Sequence, residues 1–70
     1  MRSATRMQWV DGEIDSTPYR IGIFDWDGEV FTVDVSINGE VAVPQKGSWS
    51  TYDEALQKGH LIARERIADS

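Results

Sequence analysis

Apolar residues alternate with polar ones at Tyr19, Ile21 and Ile23, again at Phe31, Val33 and Val35, and again at Val41 and Val43. A period of two is the mark of strands buried on one face and does not fit a helix. The runs are separated by Trp26-Asp27-Gly28 and Ile37-Asn38-Gly39, and Asp-Gly or Asn-Gly between apolar runs is a strong hairpin signal. A two-residue turn at Asp27-Gly28 would set Ile21 against Asp34 and Ile23 against Thr32. Neighbouring apolar residues would then lie on opposite faces, which a sheet with one buried face does not allow. A three-residue loop, Trp26 to Gly28, with Gly28 left-handed at a bulge, sets Tyr19 against Val35, Ile21 against Val33 and Ile23 against Phe31. The same geometry at the second turn pairs Val35 with Val41 and Val33 with Val43. On the other face, Arg20 meets Asp34. The pattern therefore predicts a three-stranded antiparallel β-meander from Tyr19 to Val43, ended by Pro44, which cannot donate to a ladder.

The meander's apolar stripe needs a cover. Thr51 and Glu54 form a capping-box pattern, and Asp53 adds negative charge to the first turn of a helix beginning near Tyr52. Tyr52, Ala55, Leu56, Gly59, Ile62, Ala63 and Ile67 recur at the three-and-four spacing of one helical face. Gly59 lowers helix stability by about 1 kcal/mol relative to alanine, so its use is close approach of helix to sheet. Glu54 and Lys58 stand in the favourable i, i+4 order, and Arg64 and Arg66 suit the C-terminal end of the helix dipole. The expected fold class is α+β: a meander with one C-terminal helix packed on one face, occupying residues 19–70. Residues 1–18 read as an N-terminal arm or a short strand, Met7-Gln8-Trp9-Val10, hairpinned through Asp11-Gly12 toward Glu13-Ile14. Met1 to Ala4 and Asp69 to Ser70 are expected to fray.

The chain has 70 residues, no cysteine and a formal net charge of −5. That length holds one thin core and little room for an enclosed substrate pocket, which argues against an enzyme. The missing cysteines exclude disulfides, thiolate zinc sites and cysteine nucleophiles. Met1 to Val10 contain no apolar core of a secretory leader, and no run approaches a membrane span, so a cytoplasmic protein without membrane contact is expected.

The β-β-β-α layout resembles a loose group of small bacterial proteins that carry no assigned activity. The residues behind the resemblance are Tyr19 opening the first meander strand, Thr51 with Glu54-Ala55 at the helix start, Gly59 in mid-helix and Ala63-Arg64 near its end. It covers about two thirds of the chain, and it implies a fold and no activity.

Few residues point to chemistry. Asp25-Trp26-Asp27-Gly28-Glu29 looks like the middle of a calcium loop, with Asp34 at the closing position, but the first ligand position would fall on Ile23, which has no ligand oxygen, and the flanks read as strands. No cofactor or metal is therefore expected. His60 is the only histidine and reads as a surface helix residue. Ser48 and Ser50 lack a designated base. Direct nucleic-acid binding is not expected either: the open face offers Arg20 as its one cation, beside Gly22, Phe24, Val30, Thr32, Asp34 and Ala42, and the helix opens on Asp53 and Glu54.

The aromatic residues suggest an interface. Trp9, Trp26 and Trp49 are three tryptophans in a short chain, and tryptophan is enriched at interface hot spots. Phe24 and Val30 are expected side by side on the face away from the helix, covered either by the N-terminal arm or by another chain. Six acids and one arginine lie between Asp11 and Glu29, with Asp25, Asp27 and Glu29 at the hairpin tip. The sequence thus suggests a non-enzymatic protein-interaction module, self-associating as a homodimer through the open face. The alternative is an acidic inhibitor that mimics nucleic acid and blocks a DNA- or RNA-handling protein, as phage-encoded anti-defence proteins do.

Overall fold

The computed structural model describes residues 5–69. Met1 to Ala4 and Ser70, expected to fray, lie outside them; Asp69 is the last residue of the helix. The elements are β1 (Arg6–Ile14), β2 (Thr17–Asp25), β3 (Phe31–Ile37), β4 (Val43–Pro44) and α1 (Tyr52–Asp69). The strands form one antiparallel sheet in the order β1-β2-β3-β4, with α1 packed on β2 and β3. An α+β meander with a C-terminal helix is thus what the chain forms.

The N-terminal segment is a nine-residue strand paired along its length with β2, from Arg6 opposite Asp25 to Ile14 opposite Thr17. Its hairpin turn is Asp15-Ser16, not Asp11-Gly12. Asp15 and Ser16 have φ of 49° and 68°, the left-handed pair a two-residue type I′ turn requires. Asp11 and Gly12 lie within the strand, opposite Arg20 and Tyr19. The turn was hidden because serine rather than glycine takes its second position.

The second hairpin keeps the expected faces but moves its register by two residues. Ile21 faces Val35, Ile23 faces Val33 and Tyr19 faces Ile37. The loop spans five residues, 26–30, closed by the Trp26 N–H donating to the Val30 carbonyl at 2.9 Å. An even shift leaves every side chain on its own face, so the aliphatic stripe survives. Gly28 is left-handed as expected, at φ 79°. Arg20, however, now faces Ser36 and not Asp34.

The last strand is shorter than expected. Asn38 and Gly39 turn the chain at φ 53° and 79°, and Val43 then pairs with Val35 and Pro44 with Asp34. Val41 lies outside the sheet and is 87% exposed, and Val43 is also exposed, so neither belongs to the buried stripe. Pro44 sits within this edge strand, where no further ladder asks for its missing N–H.

Ile21, Val33 and Val35 are fully buried, joined by Tyr19, Ile23 and Phe31 from the sheet and Ala55 and Ala63 from the helix. The Thr51 side-chain oxygen accepts the Glu54 N–H at 3.2 Å and caps α1. Glu54 and Lys58 make no ion pair; among the described residues the side-chain ion pair is Arg20–Asp11. Gly59 rests on Ile21: a β-carbon there would fall 2.6 Å from Ile21 Cγ2. Ile21 is enclosed and branched, so it has no room to yield. Gly59→Ala should therefore lower stability by about 1–3 kcal/mol despite the better helix propensity of alanine. Urea unfolding measures this, and a stabilised variant would contradict the close approach.

Candidate functional site

The face away from α1 carries the unusual chemistry. On β1, Trp9 stands opposite Gly22 of β2. Gly22 has no side chain, and the Trp9 ring lies over it, with Cζ3 2.6 Å from where a β-carbon would stand. Such cover restores packing that a glycine removes from a strand. Phe24 follows two residues along β2 and meets the Trp9 ring edge-on at 6.4 Å between centroids. Trp26, at the loop entrance, stacks on Phe24 at 6.3 Å with the ring planes 22° apart. The Trp26 indole N–H donates to Thr32 Oγ1 at 2.7 Å, which fixes that ring against β3. Trp9, Phe24 and Trp26 thus form a strip from β1 across β2 to the hairpin loop. Such ring pairs contribute about 0.5–1.5 kcal/mol each beyond the area they bury. Trp9 remains 39% exposed and its neighbour Met7 52%.

Two charges flank the strip. Arg20 leans toward β1: its Nε donates to Asp11 Oδ1 at 2.8 Å, and its guanidinium carbon lies 5.9 Å from the centroid of the Trp9 ring. Asp34 of β3 lies opposite Gly22, next to Phe24, Trp26, Thr32 and Pro44 in an open groove of about 360 Å³. Burial among these groups pushes its carboxyl above the usual aspartate range. No described lysine or arginine lies within ion-pair distance of it.

The remaining candidates are elsewhere or otherwise occupied. Asp25 is a loop cap: its carboxylate accepts the N–H groups of Asp27 and Gly28 at 3.2 and 2.5 Å. Asp27, Glu29 and Val30 are exposed at the hairpin tip. Val30 belongs to the loop and not to β3, so Phe24 faces Thr32 instead of sitting beside it. Trp49 packs against the core, and its backbone exchanges hydrogen bonds with Phe31 at 2.8 and 2.9 Å. It adjoins Glu54, Lys58 and Leu61 of the helix, away from the aromatic strip. Among the described residues, no three of His, Cys, Asp and Glu come together as a metal site, and no helix is long and apolar enough to cross a membrane.

One pair escaped the sequence reading. His60 is half-buried, and its Nδ1 shares a 2.6 Å hydrogen bond with the Tyr19 hydroxyl, the two rings meeting edge-on. Gly12 makes room for this: the Tyr19 ring occupies the space a β-carbon at Gly12 would need. The only available signal was Gly12 opposite Tyr19, which becomes visible once the first hairpin turns at Asp15-Ser16.

No family model, curated protein or solved structure matches this chain. Function must therefore be read from the face itself.

Asp34 gives a pH prediction. Because its folded pKa is raised, the folded state holds the proton more tightly than the unfolded state, and stability falls as pH rises from the ordinary value through the raised one. Asp34→Asn should therefore melt higher than the parent at neutral pH and low protein concentration. The difference should vanish below about pH 3.9, the ordinary aspartate value. Calorimetry across pH checks both limits, and a variant less stable at neutral pH would contradict the burial argument.

Proposed function

We propose that this chain is a non-enzymatic protein-interaction module that docks through the open face of its sheet, with a second copy of itself as the partner. The observation that supports it is the strip Trp9–Phe24–Trp26, three rings held together on the face α1 does not cover. The N-terminal segment is the edge strand β1, and through Trp9 it covers part of Phe24, which stays half-buried on that face. Aromatic clusters of this kind, rimmed by polar groups, are what interface hot spots use. The non-enzymatic part of this reading rests on chain length, since so short a chain leaves little room for an enclosed substrate pocket.

The alternative reading, an acidic nucleic-acid mimic, rests on the acids between Asp11 and Glu29. Two of these are engaged within the chain, Asp11 with Arg20 and Asp25 with its own loop. They are less available for imitating a phosphate row, so the interaction module is the better-supported function.

Light scattering coupled to size exclusion, across micromolar to millimolar protein, tests the reading. The expected result is a concentration-dependent dimer that Phe24→Lys weakens by about tenfold or more, with an unchanged far-UV circular dichroism spectrum. A parent chain that stays monomeric throughout would overturn it.

A further inference from the structure

Among the described residues, Arg20 and the partly buried Asp34 flank the ring strip on the open face, and the chain does not join them. Arg20 and Asp34 lie diagonally across β2 and β3, since Gly22 is opposite Asp34 and Arg20 opposite Ser36. Diagonal neighbours in a sheet are about 7–8 Å apart at their backbones, within reach of an arginine. Yet Arg20 turns toward Asp11 on the other side, leaving Asp34 in a groove walled by Phe24, Trp26 and Pro44. A carboxylate partly removed from water without a counter-charge is an unfavourable arrangement that an incoming cation relieves.

Resting on the self-association reading above, we propose that two copies dock open face to open face about a two-fold axis, with Arg20 of each copy seated against Asp34 of the other. An interface of this symmetry must complement itself, because each copy presents the same patch. The patch meets that condition through its charges. A two-fold axis lying between the two sheets, perpendicular to the line from Arg20 to Asp34, places each cation over the other copy's anion. The same operation brings the Trp9 rings of the two copies, each lying over Gly22 beside both charges, together near the axis, while Phe24 and Trp26 lie farther out toward the hairpin loop. Arg20 need not abandon Asp11: only its Nε is engaged there, and a guanidinium has further N–H donors for a second carboxylate. The Arg20–Asp11 pair is largely exposed, at 56% and 72% of the two side chains, and so holds Arg20 weakly. In the dimer, Asp34 gains the counter-charge it lacks, and the Trp9 ring, already under the Arg20 guanidinium, is covered from above.

The test is a charge reversal carried out on separate chains. Arg20→Asp and Asp34→Arg are made individually, and association of the parent, each variant and their equimolar mixture is followed by sedimentation equilibrium. Each variant alone opposes like charges at both crossings and should associate at least about tenfold more weakly than the parent. In the mixture, both crossings join an acid to an arginine, and association should return to within about threefold of the parent. A parent that dimerises while the mixture does not would overturn the pairing and leave the interaction module standing. A parent that is monomeric overturns both. If Arg20→Asp fails to fold, a double-mutant cycle of Arg20→Gln and Asp34→Asn replaces it. Non-additive effects on the dimer constant are expected, and additive ones would refute the pairing.

Discussion

The placement of Gly59 on Ile21 decides which face of the sheet is left open. A helix can lie this close to a strand only where its own side chain is absent, and α1 supplies that position midway along its buried stripe, between Ala55 and Ala63. Three small residues in a row bring the helix down onto Ile21, Val33 and Val35 and make the cover narrow as well as close. The apolar payload of β2 and β3 is then satisfied on one side. Period-two alternation sends Phe24 and Asp34 to the other side, beyond reach of the helix.

Glycine acts in the opposite sense on that other side. Gly22 leaves a depression at the centre of the open face, and Trp9 crosses from β1 to fill it. Phe24 and Trp26 continue the row, held by the Trp26–Thr32 hydrogen bond. The packing that repairs a weak point in the strand therefore also gathers three large rings on an uncovered surface. If docking uses this face as proposed, folding stability and docking draw on the same side chains, and changes at Trp9 or Phe24 affect both. Charge changes at Arg20 and Asp34, at the margins of the strip, separate the two effects better.

The sequence made the faces legible more than the pairings. The Tyr19–Val35 stripe, the helix start at Tyr52, the Thr51 cap and the close approach at Gly59 follow from periodicity and local chemistry, and they are present. The register is not legible in the sequence, because the loop after β2 closes on Val30 and not on Gly28: the Trp26 N–H donates to the Val30 carbonyl, and the Asp25 carboxylate accepts the Gly28 N–H inside a five-residue loop that the Asp-Gly signal alone does not distinguish from a three-residue one. The first hairpin was missed because Asp15 and Ser16 adopt left-handed conformations without a glycine. These errors reached the site. A register two residues away puts Arg20 opposite Asp34 and Phe24 opposite Val30, and a strand ending at Val10 leaves Trp9 without Gly22 as its neighbour; the pairings present are Arg20 with Ser36, Phe24 with Thr32 and Trp9 with Gly22. Of the expected interface residues, Trp9, Phe24 and Trp26 come together, whereas Val30, Trp49 and the hairpin-tip acids stand apart from them.

In the proposed dimer the two copies meet at the ring strip. An isotope-filtered nuclear Overhauser experiment on an equimolar mixture of labelled and unlabelled chain tests it most directly, because it reports only contacts between copies. Intermolecular contacts are expected between the Trp9 rings of the two copies, from the Phe24 and Trp26 rings, and from the Arg20 side chain to the region around Asp34. Intermolecular contacts confined to the outer edge of β1 or to the exposed side of α1, with the ring strip silent, would contradict it.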